Sequence, residues 1–433
     1  MSTQLDGATE AEQTVHSPHW KRHIALFLGG QTVSMFGSML VQYAIIWYLT
    51  LETKSGLVLM LSTLFGMLPQ AVISIFGGVW ADRVNRKFLI IAADASIALA
   101  TLILAFVMLA GVVNLPLIFL VMAVRSAGAG IQTPAVSALT PQIVPTDQLL
   151  RFNGLMGAVQ AGIMLLGPVA AGAVLSVWSI VPIFFIDVVT AVIGIGLLLL
   201  IPVRTVERHD AEPTSYFADL VEGIRYTFTH RFVRWLMLVW GLVFVLIVAP
   251  SNLTPLMIAR SFGDEVWMLT ANELAFGVGM ALGGGAIAAW GGMKNRVAMV
   301  GISSLLFGFL SIALGLSTNF WIFLVFMFLV GIAVPFFSTP SMTLLQTRVE
   351  PERQGRVFGF VGIVMAVGMP LGMAIFGPLS DIWTVEQVLI WSGIATFVVV
   401  VLAFIVPAGH EALRNGADDS TERSPEPGET HTP

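Results

Sequence analysis

Twelve runs of about 20 or more mostly apolar residues take up nearly all of this 433-residue chain. Roughly 20 such residues are what a helix needs to cross a bilayer. The runs lie approximately at 24–49, 56–80, 88–110, 115–137, 153–177, 181–202, 233–256, 267–290, 297–316, 320–342, 357–380 and 385–407. Only 11% of the residues are charged, against about 25% in a soluble domain. A soluble fold buries only about three quarters of its surface even at ~300 residues, so most of this chain requires lipid as its solvent. Lipid cannot satisfy backbone N–H and C=O groups, so a spanning segment must close its own hydrogen bonds. The runs therefore predict an all-α membrane protein with twelve transmembrane helices. Trp20, Trp47, Trp80, Trp178, Trp267, Trp290, Trp321 and Trp383 sit at or near run ends, where interfacial aromatics belong.

Composition removes several function classes. The chain has no cysteine, which excludes disulfides, thiol catalysis and Cys-ligated metals. The seven His are scattered without metal-ligand spacing, and the net charge is −5, so no metal, cofactor or nucleic acid is expected. No G-x-x-x-x-G-K-[ST] occurs, which argues against ATP as driver. No nucleophile–base pair or ligand cluster falls at membrane depth, which argues against an intramembrane enzyme. A non-transporting receptor is the remaining contrary reading. No short apolar segment with a cleavage site precedes the first run, so the first helix is expected to be retained.

An even number of spans puts both termini on one side. Eighteen Lys and Arg fall in the segments on that side, from Lys21 to Arg423, and only Lys54 and Arg260 in the opposite loops. Cytoplasmic segments carry the Lys and Arg excess, so both termini are expected in the cytoplasm, with the chain in a bacterial inner membrane. Residues 1–19 and 408–433 read as disordered ends. Segment 203–232 links a six-helix bundle over 20–202 to a second over 233–407. In that linker Phe217, Leu220, Val221, Ile224 and Phe228 recur at the spacing of an amphipathic surface helix. The halves echo one another: "TPAVSALTPQIVP" (Thr133–Pro145) and "TPSMTLLQTRVEP" (Thr339–Pro351) share a Thr-Pro pair and a later Pro, followed equally far on by Phe152 and Phe358. Parallel six-helix repeats with substrate held between them are a transporter design.

The segment "GGVWADRVNRK" between the second and third runs concentrates charge in an apolar chain. It resembles the signature loop of the major facilitator superfamily through Gly78, Asp82, Arg83, Arg86 and Lys87, with Asn85 where many members carry Gly. Span count, midpoint linker and repeat extend the resemblance over essentially the whole chain. "GQTVSMFGSMLVQYAIIWYLT", "VRSAGAGIQTPAVSALTPQIVP", "FIDV" and "GRVFGFVGIVMAVGMPLG" resemble the macrolide-efflux branch of drug:proton antiporters, although siderophore and lipid exporters have similar sequences. "RSAGAG" is similar to the intramembrane Arg motif of proton-coupled members. "GLMGAVQAGIMLLGPVAAG" is similar to the antiporter motif through Gly154, Gly167, Pro168 and Gly172, with Ile163 and Ala171 where glycines are usual. The resemblance implies a monomeric exporter of bulky amphiphilic compounds by proton antiport. The alternative is export of an endogenous metabolite such as a siderophore or lysolipid.

The residues add candidates of their own. Arg86 and Lys87 serve topology, whereas acids contribute little to orientation, so Asp82 with Arg83 is the candidate for state gating. Gly77 and Gly78 are read as close-approach positions. Arg125 falls mid-span, where a charge costs at least ~2.5–3.5 kcal/mol and requires a partner. Asp94, Asp187 and Glu273 are the candidate acids. Asp187 with Arg125 is the favoured proton-coupling pair, Glu273 a contact for a cationic substrate, and Asp94 a structural acid. Gln31, Gln42, Gln70, Gln132, Gln160 and Asn252 are substrate-cavity candidates, because an unpaired amide facing lipid is costly. Pro168 with Gly167 and Gly172, and Pro370 in the eleventh run, are candidate helix bends.

Overall fold

The computed structural model describes residues 20–203 and 224–418, except for the side chains of residues 79, 82, 351, 352 and 415–418. Among the described residues there is no strand, and twelve helices are long and apolar enough to span a membrane. The first six are α1 (Trp20–Thr53), α2 (Gly56–Arg83), α3 (Arg86–Leu109), α4 (Leu115–Ile143), α5 (Leu149–Val177) and α6 (Val181–Leu199). The second six are α7 (Arg231–Asn252), α8 (Val266–Trp290), α9 (Arg296–Gly315), α10 (Phe320–Arg348), α11 (Pro351–Ile382) and α12 (Val385–Ile405). Two short helical turns, Thr254–Met257 and Ile258–Phe262, prolong α7. Each expected span coincides with one helix, with ends that differ by at most six residues. Side-chain caps set many of the starts: Ser55, Asn85, Asn114, Asn295, Asn319 and Thr384 each accept a first-turn backbone N–H, satisfying groups the helix itself leaves open.

The halves repeat one packing order. In the first, α2 packs on α4, α4 on α3, α3 on α6, α6 on α1 and α1 on α5. In the second, α8 packs on α10, α10 on α9, α9 on α12, α12 on α7 and α7 on α11. Lipid offers no hydrophobic gain between helices, so close van der Waals packing holds them. At α8/α10 a Cβ on Gly279 or Gly331 would overlap the Phe328 or Phe276 carbonyl of the facing helix.

Three expectations are corrected. "GGVWADRVNRK" is not a loop: α2 continues through Arg83 and α3 begins at Arg86, leaving only Val84 and Asn85 between them. Asn85, the departure from the resemblance, caps the Phe88 N–H, so an amide does there what a glycine cannot. A Cβ on Gly77 would lie 2.6 Å from the Gly130 carbonyl of α4, but nothing approaches Gly78 within 4 Å, so only the first glycine serves close approach. The tail expected to be disordered from 408 begins with a helix, α13 (Pro407–Asp418). Ala412 is buried, Asn295 donates to the Leu413 carbonyl (2.9 Å) and Arg231 pairs with Glu411 (2.9 Å). The polar composition of the whole tail hides this short anchored part. Segments 1–19 and 419–433, with Phe217, Leu220 and Val221 of the linker, lie outside the described residues, while Ile224 and Phe228 lie on a helical turn.

The halves join chiefly through α2 against α11 and α5 against α8. The close approaches lie away from the end that carries most of the Lys and Arg. A Cβ on Gly377 would lie 2.6 Å from Met60 Cβ and 2.7 Å from the Gly56 carbonyl. Asp381, in the last turn of α11, accepts from the Gly56 N–H (2.7 Å), the Leu57 N–H (2.8 Å), the Ser55 hydroxyl (3.0 Å) and Arg260 (2.6 Å). It thus caps the positive end of α2 from the other half of the chain. Arg260 also donates to the carbonyls of Lys54 and Ser380, and Lys54 pairs with Asp264 at 2.6 Å. The two basic residues on the sparsely charged side therefore form a latch between the halves. At this partly exposed site Asp381→Ala is expected to weaken the closed end by about 1–3 kcal/mol. With Met60→Cys as the sole cysteine, maleimide labelling should then accelerate at least about fivefold. An unchanged rate would show that the end closes without Asp381.

Candidate functional site

The RSAGAG stretch of α4 organises the first half. Arg125, 8% exposed, is ion-paired with Asp187 of α6, itself 1% exposed, and donates to the Thr101 hydroxyl of α3. It also donates to the Ser38 carbonyl of α1 (3.3 Å), while the Ser38 hydroxyl donates to Asp187 (3.5 Å). Four helices thus converge on one guanidinium. Gly37 permits the convergence, because a Cβ there would overlap the Thr190 hydroxyl and sit 3.2 Å from the Asp187 backbone. The rest of the stretch has other duties. Pro69 interrupts the hydrogen bonding of α2, and the Ser126 hydroxyl accepts the neighbouring Gln70 N–H at 2.9 Å. A Cβ on Gly128 would press on Ile97 of α3 (2.6 Å), and one on Gly130 on the Gln70 carbonyl of α2 (2.9 Å).

Asp94 lies seven residues before Thr101 on α3, which is two helical turns and therefore the same face. It is 4% exposed and accepts from Gln132 Nε2 of α4 at 2.6 Å and from the Ser34 hydroxyl of α1 at 3.3 Å. Gln132 in turn lines an open cavity of about 540 Å³ bordered by α1, α4 and α5, a size that suits a drug-like ligand. Gln31, Gln160, Asn153 and Thr133 contribute polar groups, while Met35, Met156 and Phe152 supply apolar wall. A buried acid is thereby wired to the cavity wall through one amide.

The other candidates are dispersed. Gln31, Gln132 and Gln160 line the cavity. Gln42 lies against Gly66 of α2, and Gln70 contributes its backbone to the Ser126 contact. Asn252 donates to the Val248 carbonyl four residues back (3.3 Å), so its amide serves its own helix. Glu273 of α8 is half-buried, has no ion-pair or hydrogen-bond partner among the described residues, and stands within electrostatic reach of Tyr43 of α1. Gly167 fits Met39 of α1, Gly172 fits Thr270 of α8, and Gly154 meets nothing within 4 Å. Pro168 is buried inside α5 beside these contacts, and Pro370 is buried inside α11 between Gly368 and Gly372, which meet Phe244 and Val248 of α7. In the Gly78–Lys87 cluster, Arg83 is exposed and the Asp82 side chain lies outside the described residues. Arg86 donates to the carbonyls of Ala81 (2.9 Å) and Ala138 (2.8 Å), and Lys87 to those of Leu199 (3.0 Å) and Ile201 (2.7 Å). These two cations therefore tie helix ends together in addition to any part in topology. Sequence reasoning missed Thr101, Ser34, Ser38 and Ser126, whose only signal is a hydroxyl inside an apolar run. It also missed Arg260 with Asp381, whose pairing depends on segments 121 residues apart. Among the described residues no cluster of His, Asp or Glu could hold a metal ion.

The Major Facilitator Superfamily model matches residues 27–297 and again 266–429. The chain is 31% identical to macrolide efflux protein A of Streptococcus pyogenes over 91% of its own length and 97% of that protein. It is 22% identical to the staphyloferrin A transporter of Staphylococcus aureus over 88% of its length and 95% of that protein. A crystal structure of a mutant of the nucleoside transporter NupG superposes with a TM-score of 0.67 at 14% identity, covering 89% of this chain and 99% of that one.

Removing one member of a buried ion pair strands the other charge, at a cost of about 3–5 kcal/mol, while replacing both with apolar groups is often neutral. Asp187→Leu alone should therefore sharply lower the melting temperature of the purified protein. Arg125→Met with Asp187→Leu should recover most of that loss. A double variant no more stable than the single one would show that the pair is not the origin of the cost.

Proposed function

From a chain that belongs to the major facilitator superfamily and falls in its macrolide-efflux branch, we infer a secondary active exporter of bulky amphiphilic compounds, driven by proton antiport. Its setting is a bacterial inner membrane, with both termini in the cytoplasm as the Lys and Arg asymmetry requires. The observation that carries this reading is the wiring of Asp94. Two buried carboxylates, Asp94 and Asp187, stand with one buried cation, Arg125. Arg125 is committed to Asp187, so a proton on Asp94 balances the remaining charge. A hydrogen bond to an ionised carboxylate is roughly twice as strong as one to a neutral acceptor. Protonation of Asp94 therefore loosens Gln132, and Gln132 is part of the cavity wall. Proton binding and the substrate-holding arrangement of the wall then disfavour one another, which is the requirement for exchange rather than cotransport.

This assigns the roles differently from the sequence-based expectation. Arg125 with Asp187 orders the bundle, and Asp94 takes the proton. The latch at Asp381 and Arg260 closes one end while the cavity lies toward the other, as expected of a state that loads substrate from the cytoplasm. The mixed amide and apolar lining suits a large ligand with scattered hydrogen-bonding groups. A siderophore has those features too, and the similarity to the staphyloferrin A transporter favours an endogenous metabolite as the second reading.

In proteoliposomes with an imposed pH gradient, Asp94→Asn should abolish gradient-driven accumulation of a macrolide and leave substrate–substrate exchange within about twofold of the parent. Gradient-driven uptake by this variant would remove Asp94 from the proton path. A susceptibility panel of macrolides and other amphiphiles, run on cells that express the parent chain, separates drug export from metabolite export. Drug protection that disappears with Asp94→Asn favours the first reading. Absence of protection, with siderophore release instead, favours the second.

A further inference from the structure

The second half contains a separate opening that the transport cycle above does not use. Helices α7 and α11 touch where a Cβ on Gly368 would lie 2.6 Å from Phe244 and one on Gly372 would lie 2.6 Å from Val248. Below this contact, toward the end rich in Lys and Arg, the approach is looser: a Cβ on Gly241 would lie 3.6 Å from Val364. The gap is a groove of about 370 Å³ lined by Leu238, Gly241 and Leu242 of α7 and Val364, Val367 and Leu371 of α11. At 100° per residue, the α11 lining positions stand roughly 140° round the helix from Gly377 and Ser380, which face α2. The groove thus faces away from the junction of the halves, toward the surrounding hydrocarbon. Leu238, Leu242, Val367 and Leu371 are each about half exposed there.

One end of the groove is polar. Thr227 and Arg234 line it. Thr227 is 1% exposed, and among the described residues its hydroxyl has no hydrogen-bond partner, which is costly for a buried donor. Arg234 is exposed and donates to the Phe228 carbonyl at 3.1 Å, which engages one of the five N–H donors a guanidinium has. The Phe228 and Phe360 rings, 6.3 Å apart, flank these groups. Arg225 and Arg231 are exposed at the same end. An apolar slot, an orphan hydroxyl and a guanidinium at its interfacial end have the order of parts of a lipid: acyl chain, ester, phosphate.

We propose that this groove binds one anionic glycerophospholipid of the adjoining leaflet. An acyl chain lies between α7 and α11, the phosphate pairs with Arg234, and the Thr227 hydroxyl donates to a phosphate or ester oxygen. The charge selects anionic over zwitterionic lipid, because a basic side chain at the surface favours an anionic headgroup by about fivefold.

Native mass spectrometry and thermal melting of the purified full-length protein, titrated with phosphatidylglycerol or phosphatidylcholine, test the proposal. Phosphatidylglycerol should be retained and should raise the melting temperature more than phosphatidylcholine does. Arg234→Gln should weaken phosphatidylglycerol at least about fivefold, and Arg414→Gln, at an exposed position of α13, should leave it unchanged. Thr227→Val should melt no lower than the parent in lipid-free detergent, since it removes an unpaired hydroxyl, yet gain less from phosphatidylglycerol. Gly241→Leu should exclude the chain. Equal binding of the two lipids, unchanged binding by Arg234→Gln, or full competition by glycerol phosphate, which has no chain, would each overturn the proposal. So would displacement of the lipid by a transported macrolide at its transport concentration, because the groove would then be part of the substrate path.

Discussion

A guanidinium that cannot reach water constrains this molecule more than any other group. Arg125 sits at membrane depth, where an unpaired charge is unaffordable, so α1, α3 and α6 must each bring an oxygen to it. The Asp187 carboxylate, the Thr101 hydroxyl and the Ser38 carbonyl do so. The packing of the first half follows from this demand. Gly37 is small so that α1 can approach α6, and Gly128 is small so that α4 can approach α3. Once Arg125 is satisfied from the α6 side, Asp94 on α3 is left for other work, and its link through Gln132 leads to the cavity.

The two ends of the bundle are controlled by different devices. At one end Asp381 caps α2 from across the molecule, and Arg260 ties together backbone carbonyls from both halves. These contacts join the two halves of the chain at that end. At the other end, Arg86 and Lys87 bind carbonyls within their own half. None of these bonds crosses between the halves. The second half has no acid in its corresponding segment, "GGMKNR", yet Asn295 there caps α9 as Asn85 caps α3. The repeat has preserved the turn and changed the charge.

The fold was legible because lipid imposes a length and a hydropathy on every spanning segment, and both can be read locally. All twelve helices were expected, and so was the repeat of six helices by six. The site was only partly legible. Arg125 and its need for an acid follow from a lone charge in an apolar run. Which acid answers it depends on how α3 and α6 are placed around α4. The six amides looked equivalent as polar residues in apolar surroundings, but Gln132 holds a buried acid while Asn252 serves its own backbone. The error at "GGVWADRVNRK" was one of secondary structure. Glycines and charges suggest a loop, but α4 packs on Gly77 and keeps α2 helical to Arg83.

By itself, the sequence determined the spanning helices, the division into halves, the side on which the basic residues gather, and the presence of one costly charge. All of these are set by short-range chemistry between a residue and its solvent. Only the tertiary structure decided that Asp187 takes the guanidinium, that Gln132 links Asp94 to the cavity, that Lys54 and Arg260 join the halves at one end, and that α7 and α11 border a groove with an unanswered hydroxyl. These outcomes depend on which helix faces are brought within about 3 Å of each other, and residues far apart in the chain meet only after the helices have packed.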